Sequence, residues 1–163
     1  MKDLLEKTKD DEGKMKDKFE GKHRAYLYMK IFYGFFIAWM GYNILMSEQL
    51  IEKNQKYFKS SLLFIKNVTN HYFPNLLSNR KFNKYFDLNT IQNKSHDIIN
   101  YSCYLFIIGG FMISIGLRAG KIIVSINLIL NILLVYNIFY FIGESLKVNV
   151  FKYWSLLGAT YYI

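Results

Sequence analysis

The sequence predicts an all-α membrane protein: four transmembrane helices in a bundle, with an interfacial amphipathic helix in the first loop. Three observations carry that prediction. Charge and hydrophobicity are segregated along the 163 residues, of which 52% are hydrophobic and 20% charged. Four long apolar runs result, and two of them, 98–117 and 122–143, contain no charged residue. About 20 apolar residues suffice to cross a hydrocarbon core of about 30 Å. Four residues separate those two runs, and in water both would have to be buried on every face. A chain this short cannot enclose several such helices.

Residues 1–24 form a charged N-terminal arm with eight basic and seven acidic residues. Such a polar segment is expected to be disordered alone and to take order from a partner surface. It has no apolar core of a cleavable signal peptide, and its acids do not suit a transit peptide. The first span, 25–46, is therefore expected to act as the targeting signal; it carries one charge, Lys30. In the following 47–97 loop, Leu50, Ile51, Phe58, Leu62 and Ile65 recur at helical spacing among lysines. That pattern predicts an amphipathic helix that continues the first span and then lies along the interface. Pro74 interrupts it, and Tyr72, Phe73, Leu76, Leu77, Phe82, Tyr85, Phe86 and Leu88 suggest a segment packed on a surface. Ser95 is the expected N-cap of the second span. Arg118 to Lys121 then connects the second and third spans as an antiparallel hairpin, and 144–147 leads to a short fourth span, 148–163. Four spans place both termini on one side, while the basic residues do not decide which side.

The net charge of +9 does not describe a nucleic-acid surface. The arm nearly cancels, the first loop carries eight basic against four acidic residues, and Lys30, Arg118, Lys121, Lys147 and Lys152 sit at the edges of apolar runs. Lysine and arginine at such edges snorkel to the lipid headgroups. The single cysteine, Cys103, excludes an internal disulfide framework or a Cys-based zinc site. His96, just before the second span, is the only candidate for a haem or quinone edge, and a lone interfacial histidine is more often a headgroup contact. Asp97 and Glu144 lie at span ends, so no relay of buried carboxylates is expected. No nucleophile–base pair, phosphate loop or metal constellation is present, so no catalytic residue is assigned and no cofactor is expected beyond bound phospholipids.

Glycines within the spans point to close helix packing, because small residues let backbones approach in lipid. Gly34 and Gly41 share a face of the first helix, Gly109, Gly110 and Gly116 serve the second, and Gly158 the fourth. Gly109-Gly110 followed by Ile115-Gly116-Leu117-Arg118 and a long aliphatic run resembles the second-to-third helix hairpin of the DoxX superfamily. That superfamily includes surfeit-locus-type cargo receptors of the endoplasmic reticulum. Residues 151–159, Phe-Lys-Tyr-Trp-Ser-Leu-Leu-Gly-Ala, resemble its last helix. The resemblance implies a four-helix membrane protein, with quinone-linked redox chemistry or cargo reception as the functions known in the family. This chain departs from both, since Cys103 stands alone and the chain ends Tyr161-Tyr162-Ile163 instead of in a lysine-based retrieval signal.

The expected function is that of a non-catalytic accessory subunit of a large membrane complex, with a mitochondrial inner-membrane respiratory-chain or ATP synthase assembly favoured. Its partners would be other membrane subunits and lipids, not nucleic acid. The alternatives are a secretory-pathway receptor or transport protein of the surfeit-locus type, and a DoxX-type quinone-linked redox protein. Three glycosylation patterns, at Asn67, Asn93 and Asn100, separate the first two, since glycans would place the loop in the endoplasmic-reticulum lumen.

Overall fold

The computed structural model describes residues 2–74, 87–135 and 144–163, and the regular elements among them are all helical. α1 runs Lys2–Met46, α2 Glu48–Tyr72, α3 Leu88–Asn93, α4 Ser95–Ser114 and α5 Arg118–Leu130. A π-helical turn, Asn131–Val135, prolongs α5, and α6 spans Glu144–Tyr162. The aromatic stretch expected at Leu76, Leu77, Phe82, Tyr85 and Phe86 lies outside the described residues. So do the last eight residues of the third run, 136–143, and the side chain of Lys147.

The N-terminal arm is not a separate segment. It is the first half of a single 45-residue helix, about 68 Å long at 1.5 Å per residue. The reason is legible in the spacing of its charges. Opposite charges stand four apart at Lys2/Glu6, Asp3/Lys7, Lys7/Asp11, Asp10/Lys14, Glu12/Lys16, Lys16/Glu20 and Glu20/Arg24. Pairs at that spacing support a helix without tertiary contacts, and the apolar half of α1 supplies the nucleus that an isolated helix lacks.

α2 does not continue α1. The chain breaks at Ser47, whose extended backbone and hydroxyl cap the new helix by accepting from the Leu50 amide. α2 then buries Ile51, Asn54, Phe58, Ser61 and Leu62, the face anticipated from its apolar period. It ends at Tyr72 beside Pro74, and Tyr72 and Phe73 are exposed. α3 is capped by Asp87, whose carboxylate accepts from the Thr90 hydroxyl (2.6 Å) and the Asn89 amide (3.1 Å). The Thr90 hydroxyl first, and then the Asn89 amide, hold this carboxyl below its usual range. A depressed carboxyl favours the folded form above its unfolded pKa and loses that contribution as pH falls through the folded value. Amides of residues 90–93 are therefore expected to lose protection, relative to their intrinsic exchange rates, below about pH 4, and Asp87→Ala to produce the same loss of protection at neutral pH, both read by hydrogen exchange.

Ser95 is not the N-cap of α4. α3 runs into α4 through the single residue Lys94, so Ser95 falls inside the helix and is 1% exposed. α4 closes at Gly116, in the left-handed region at φ 83°, with the Gly116 amide donating to Ile113 O and the Leu117 amide to Met112 O. This is a glycine stop signal, which makes the hairpin shorter than expected. Arg118 to Lys121 is the opening of α5 and not the connection.

Two helical stretches, Ser95–Ser114 and Arg118–Val135, are long and apolar enough to cross a membrane. Residues 25–46 and α6 fall outside that pair, their apolar runs being interrupted by polar groups such as Lys30 and Asn43 in the first and Lys152 in the second. α4 is central: α1 and α5 both lie antiparallel against it, and α2 packs across the end where α4 begins. α6 runs antiparallel to α1, with the Tyr33 hydroxyl donating to Leu156 O (2.6 Å) and meeting the Thr160 hydroxyl (2.5 Å).

Candidate functional site

The glycines in the middle of the helices sit where backbones nearly touch. A Cβ added at Gly34 would run into Ser114 Oγ, Gly110 O and, at 2.6 Å, Ser114 N. One at Gly110 would meet Ala38 N at 2.6 Å, and one at Gly41 would meet Cys103 O at 2.7 Å. Gly109 faces the other way, with Val124 Cγ2 at 2.6 Å. Adjacent residues on a helix are turned about 100° apart, so the Gly109-Gly110 pair opens α4 to α5 on one side and to α1 on the other. Ser114 adds a hydroxyl bond across the α1 seam to Ile31 O at 3.4 Å.

Two of the expected packing glycines have no such role. Gly116 belongs to the turn, and a Cβ there meets nothing within 4 Å. Gly158 also meets nothing within 4 Å, because α6 turns Tyr153, Leu156, Leu157 and Thr160 inward and leaves Gly158 exposed. Gly120, read from sequence as part of a loop, instead packs on α4, with Gly109 O at 2.8 Å from its added Cβ.

Of the expected interface cations, Lys30 is half-buried with its ammonium 4.6 Å from the Tyr26 ring centre. Arg118 is exposed and Lys121 half-buried in the opening turn of α5, and Lys152 is exposed on α6. His96 is exposed in the first turn of α4 and does not line the pocket described next. Among the described residues, no group of three His, Cys, Asp or Glu side chains gathers as a metal site.

The most chemically specific arrangement is one the sequence reading passed over. Between α4 and α5, Ser102 Oγ donates to Asn127 Oδ1 (2.9 Å) and Asn127 Nδ2 donates to Ser102 O (2.8 Å). Asn131 Nδ2 reaches Ser102 Oγ at 2.9 Å and Asn127 O at 2.8 Å. Asn127 and Asn131 are 2% and 8% exposed, so this is an interior amide lock in an otherwise apolar hairpin. Hydrogen bonds of this kind hold helices together in lipid at about 0.6–2 kcal/mol each. Asn127→Leu takes away the acceptor of the partly buried Ser102 hydroxyl and the amide bond to Ser102 O, and is expected to cost about 1–2 kcal/mol, read as a lowered thermal midpoint in detergent.

A pocket of about 210 Å³ opens beside this lock, walled by Phe58, Ile99, Tyr101 and Leu130, with Ser102 and Asn131 among its lining. The π-helical turn begins at Asn131, and such turns recur at functional sites. Among the described residues, no hydrogen bond uses Asn131 Oδ1. The arrangement can seat an apolar group that offers a single hydrogen-bond donor. Asn127 and Asn131 stand four apart in an uncharged run, a signal available in the sequence. Ser102, 25 residues earlier, carries none. Asn100 Oδ1 is enclosed without a partner among the described residues, whereas Asn67 and Asn93 are exposed. No protein-family model, curated protein or solved structure matches the chain.

Proposed function

We propose that the chain is a multi-pass membrane protein whose four apolar helices form a bundle, and that it serves as a non-catalytic accessory subunit of a larger membrane complex. The observation that supports this most is which residues face outward. Phe32, Trp39, Tyr101, Ile115, Ile122 and Phe151 are between 61% and 75% exposed, while Asn127, Asn131, Thr160 and Ser95 are buried. Only 33% and 39% of the two most apolar stretches is buried inside the structure. A core helix of a soluble protein would be mostly covered, so these surfaces need lipid or another apolar surface around them.

The accessory role rests on the charged helical arm, which projects from the apolar half of α1 and offers a docking surface outside the membrane. The mitochondrial inner membrane is the favoured location. Mild-detergent extraction and blue-native electrophoresis test the role: migration in a complex several times the mass of the 19.4 kDa chain is expected, and migration alone overturns it.

The pocket beside Asn131 favours a second reading, in which the chain handles a small apolar ligand, in keeping with its resemblance to DoxX-type proteins. Glycosidase-sensitive mobility arising at the exposed Asn67 or Asn93 would move the protein to the secretory pathway and remove the mitochondrial location.

A further inference from the structure

We propose that the seam between α1 and α6 binds one anionic phospholipid, with its phosphate held by Lys53 and Lys152 and an acyl chain laid along the seam. The proposal rests on the reading that these helices lie in a membrane. Although α1 and α6 are joined by the Tyr33 and Tyr26 hydroxyls, no Cα of one lies within 8 Å of a Cα of the other among the described residues. Long side chains bridge a gap that backbones leave open, and the gap has two differently made ends.

At one end a hollow of about 150 Å³ is lined from three helices, by Asn43 of α1, Lys53 and Asn54 of α2, and Lys152 and Tyr153 of α6. Lysines from two different helices line it together with two side-chain amides, the Lys53 ammonium lying 5.9 Å from the Tyr57 ring centre, and no acidic side chain is among the described lining. At the other end an open cleft of about 480 Å³ is lined by Tyr28, Phe32, Tyr33, Phe36, Ala159 and Ile163. The two ends share helix faces. On α1, Met29, Tyr33, Phe36, Met40 and Asn43 follow one another at spacings of three and four, and so do Lys152, Leu156 and Ala159 of α6 with Ile163 just beyond its end.

From Asn43 back to Met29 is about 21 Å of helix, which covers the depth of one leaflet, about half of a 30 Å hydrocarbon core. The cationic end lies beside the Ser47 break, where α1 gives way to the amphipathic α2. A phosphate at headgroup depth and an acyl chain directed inward match this order of surfaces. A zwitterionic headgroup brings a compensating positive charge toward the two lysines and gains less from them.

The test uses the full chain purified in mild detergent, exposed to equal amounts of phosphatidylglycerol and phosphatidylcholine and read by native mass spectrometry. One retained phosphatidylglycerol is expected, enriched about 10- to 30-fold, since each lysine near an anionic surface contributes about a fivefold step. The Lys53→Gln/Lys152→Gln double variant should lose most of that enrichment. Ala159→Phe, which fills the apolar cleft, should release the lipid while leaving the lysines in place. Equal retention of the two lipids by the wild-type chain overturns the proposal whether or not the variants fold. Displacement of the lipid by inorganic phosphate alone overturns it in favour of a free-phosphate site. Release of the chain from membranes by alkaline carbonate would overturn the membrane reading itself, and so separates the two failures.

Discussion

Gly110→Val is expected to unseat α1 from α4, lowering stability by about 3 kcal/mol or more. The added branch would enter a space where Gly34 O and Ala38 N already stand 2.5 and 2.6 Å from a modest Cβ. These are backbone atoms, so no rotamer change can make room and the helices must separate. Overpacking a tight interior costs about 1–3 kcal/mol, and here the separation also weakens the Ser114 bond to Ile31 O. Gly158→Val is the paired control. Its added atoms enter open space, and the midpoint should stay within about 0.5 kcal/mol. Thermal unfolding in the same detergent reads both. Similar midpoints for the two variants would remove the claim that backbone contact at Gly110 holds the bundle together.

The second large effect comes from a charge on the outward face of α4. Ile108 is 53% exposed, and in a water-soluble protein Ile108→Lys would be close to neutral, as surface substitutions usually are. If α4 spans a bilayer, the same change costs about 2.5–3.5 kcal/mol near the helix centre. The expected result is a clear loss of membrane-integrated chain, read by alkaline extraction of membranes carrying either form. Unchanged membrane integration of Ile108→Lys would count against α4 as a lipid-facing span.

Much of the architecture was legible in the sequence because apolar runs and charge placement are local signals. The helical runs of α4 and α5, the apolar face of α2 and the glycines at 34, 41, 109 and 110 were all readable this way. The errors share a different cause. Ser95 looked like a cap, but the cap position depends on how closely α3 abuts α4. Arg118 to Lys121 looked like a loop because it is polar, yet the helix stop lies at Gly116, whose backbone alone among the described residues takes the required φ. Gly158 looked like its counterparts because sequence does not reveal the azimuth at which α6 meets its neighbours. The amide lock joins Ser102 to asparagines 25 and 29 residues away, and no local pattern encodes that register. The arm was misread because composition suggested disorder while the spacing of its charges favoured a helix.

The continuity of α1 has a mechanical consequence. Some 22 residues of charged helix, Lys2 to His23, stand on the same axis as an apolar helix clamped to α4 by Gly34, Ala38 and Gly41. A rod of about 33 Å has no joint at which to absorb rotation, so a tilt of about 10° at the clamp swings its tip by about 6 Å. The arm is thereby a lever: whatever grips its far end feels the attitude of the bundle, and force applied there is delivered to the glycine seam.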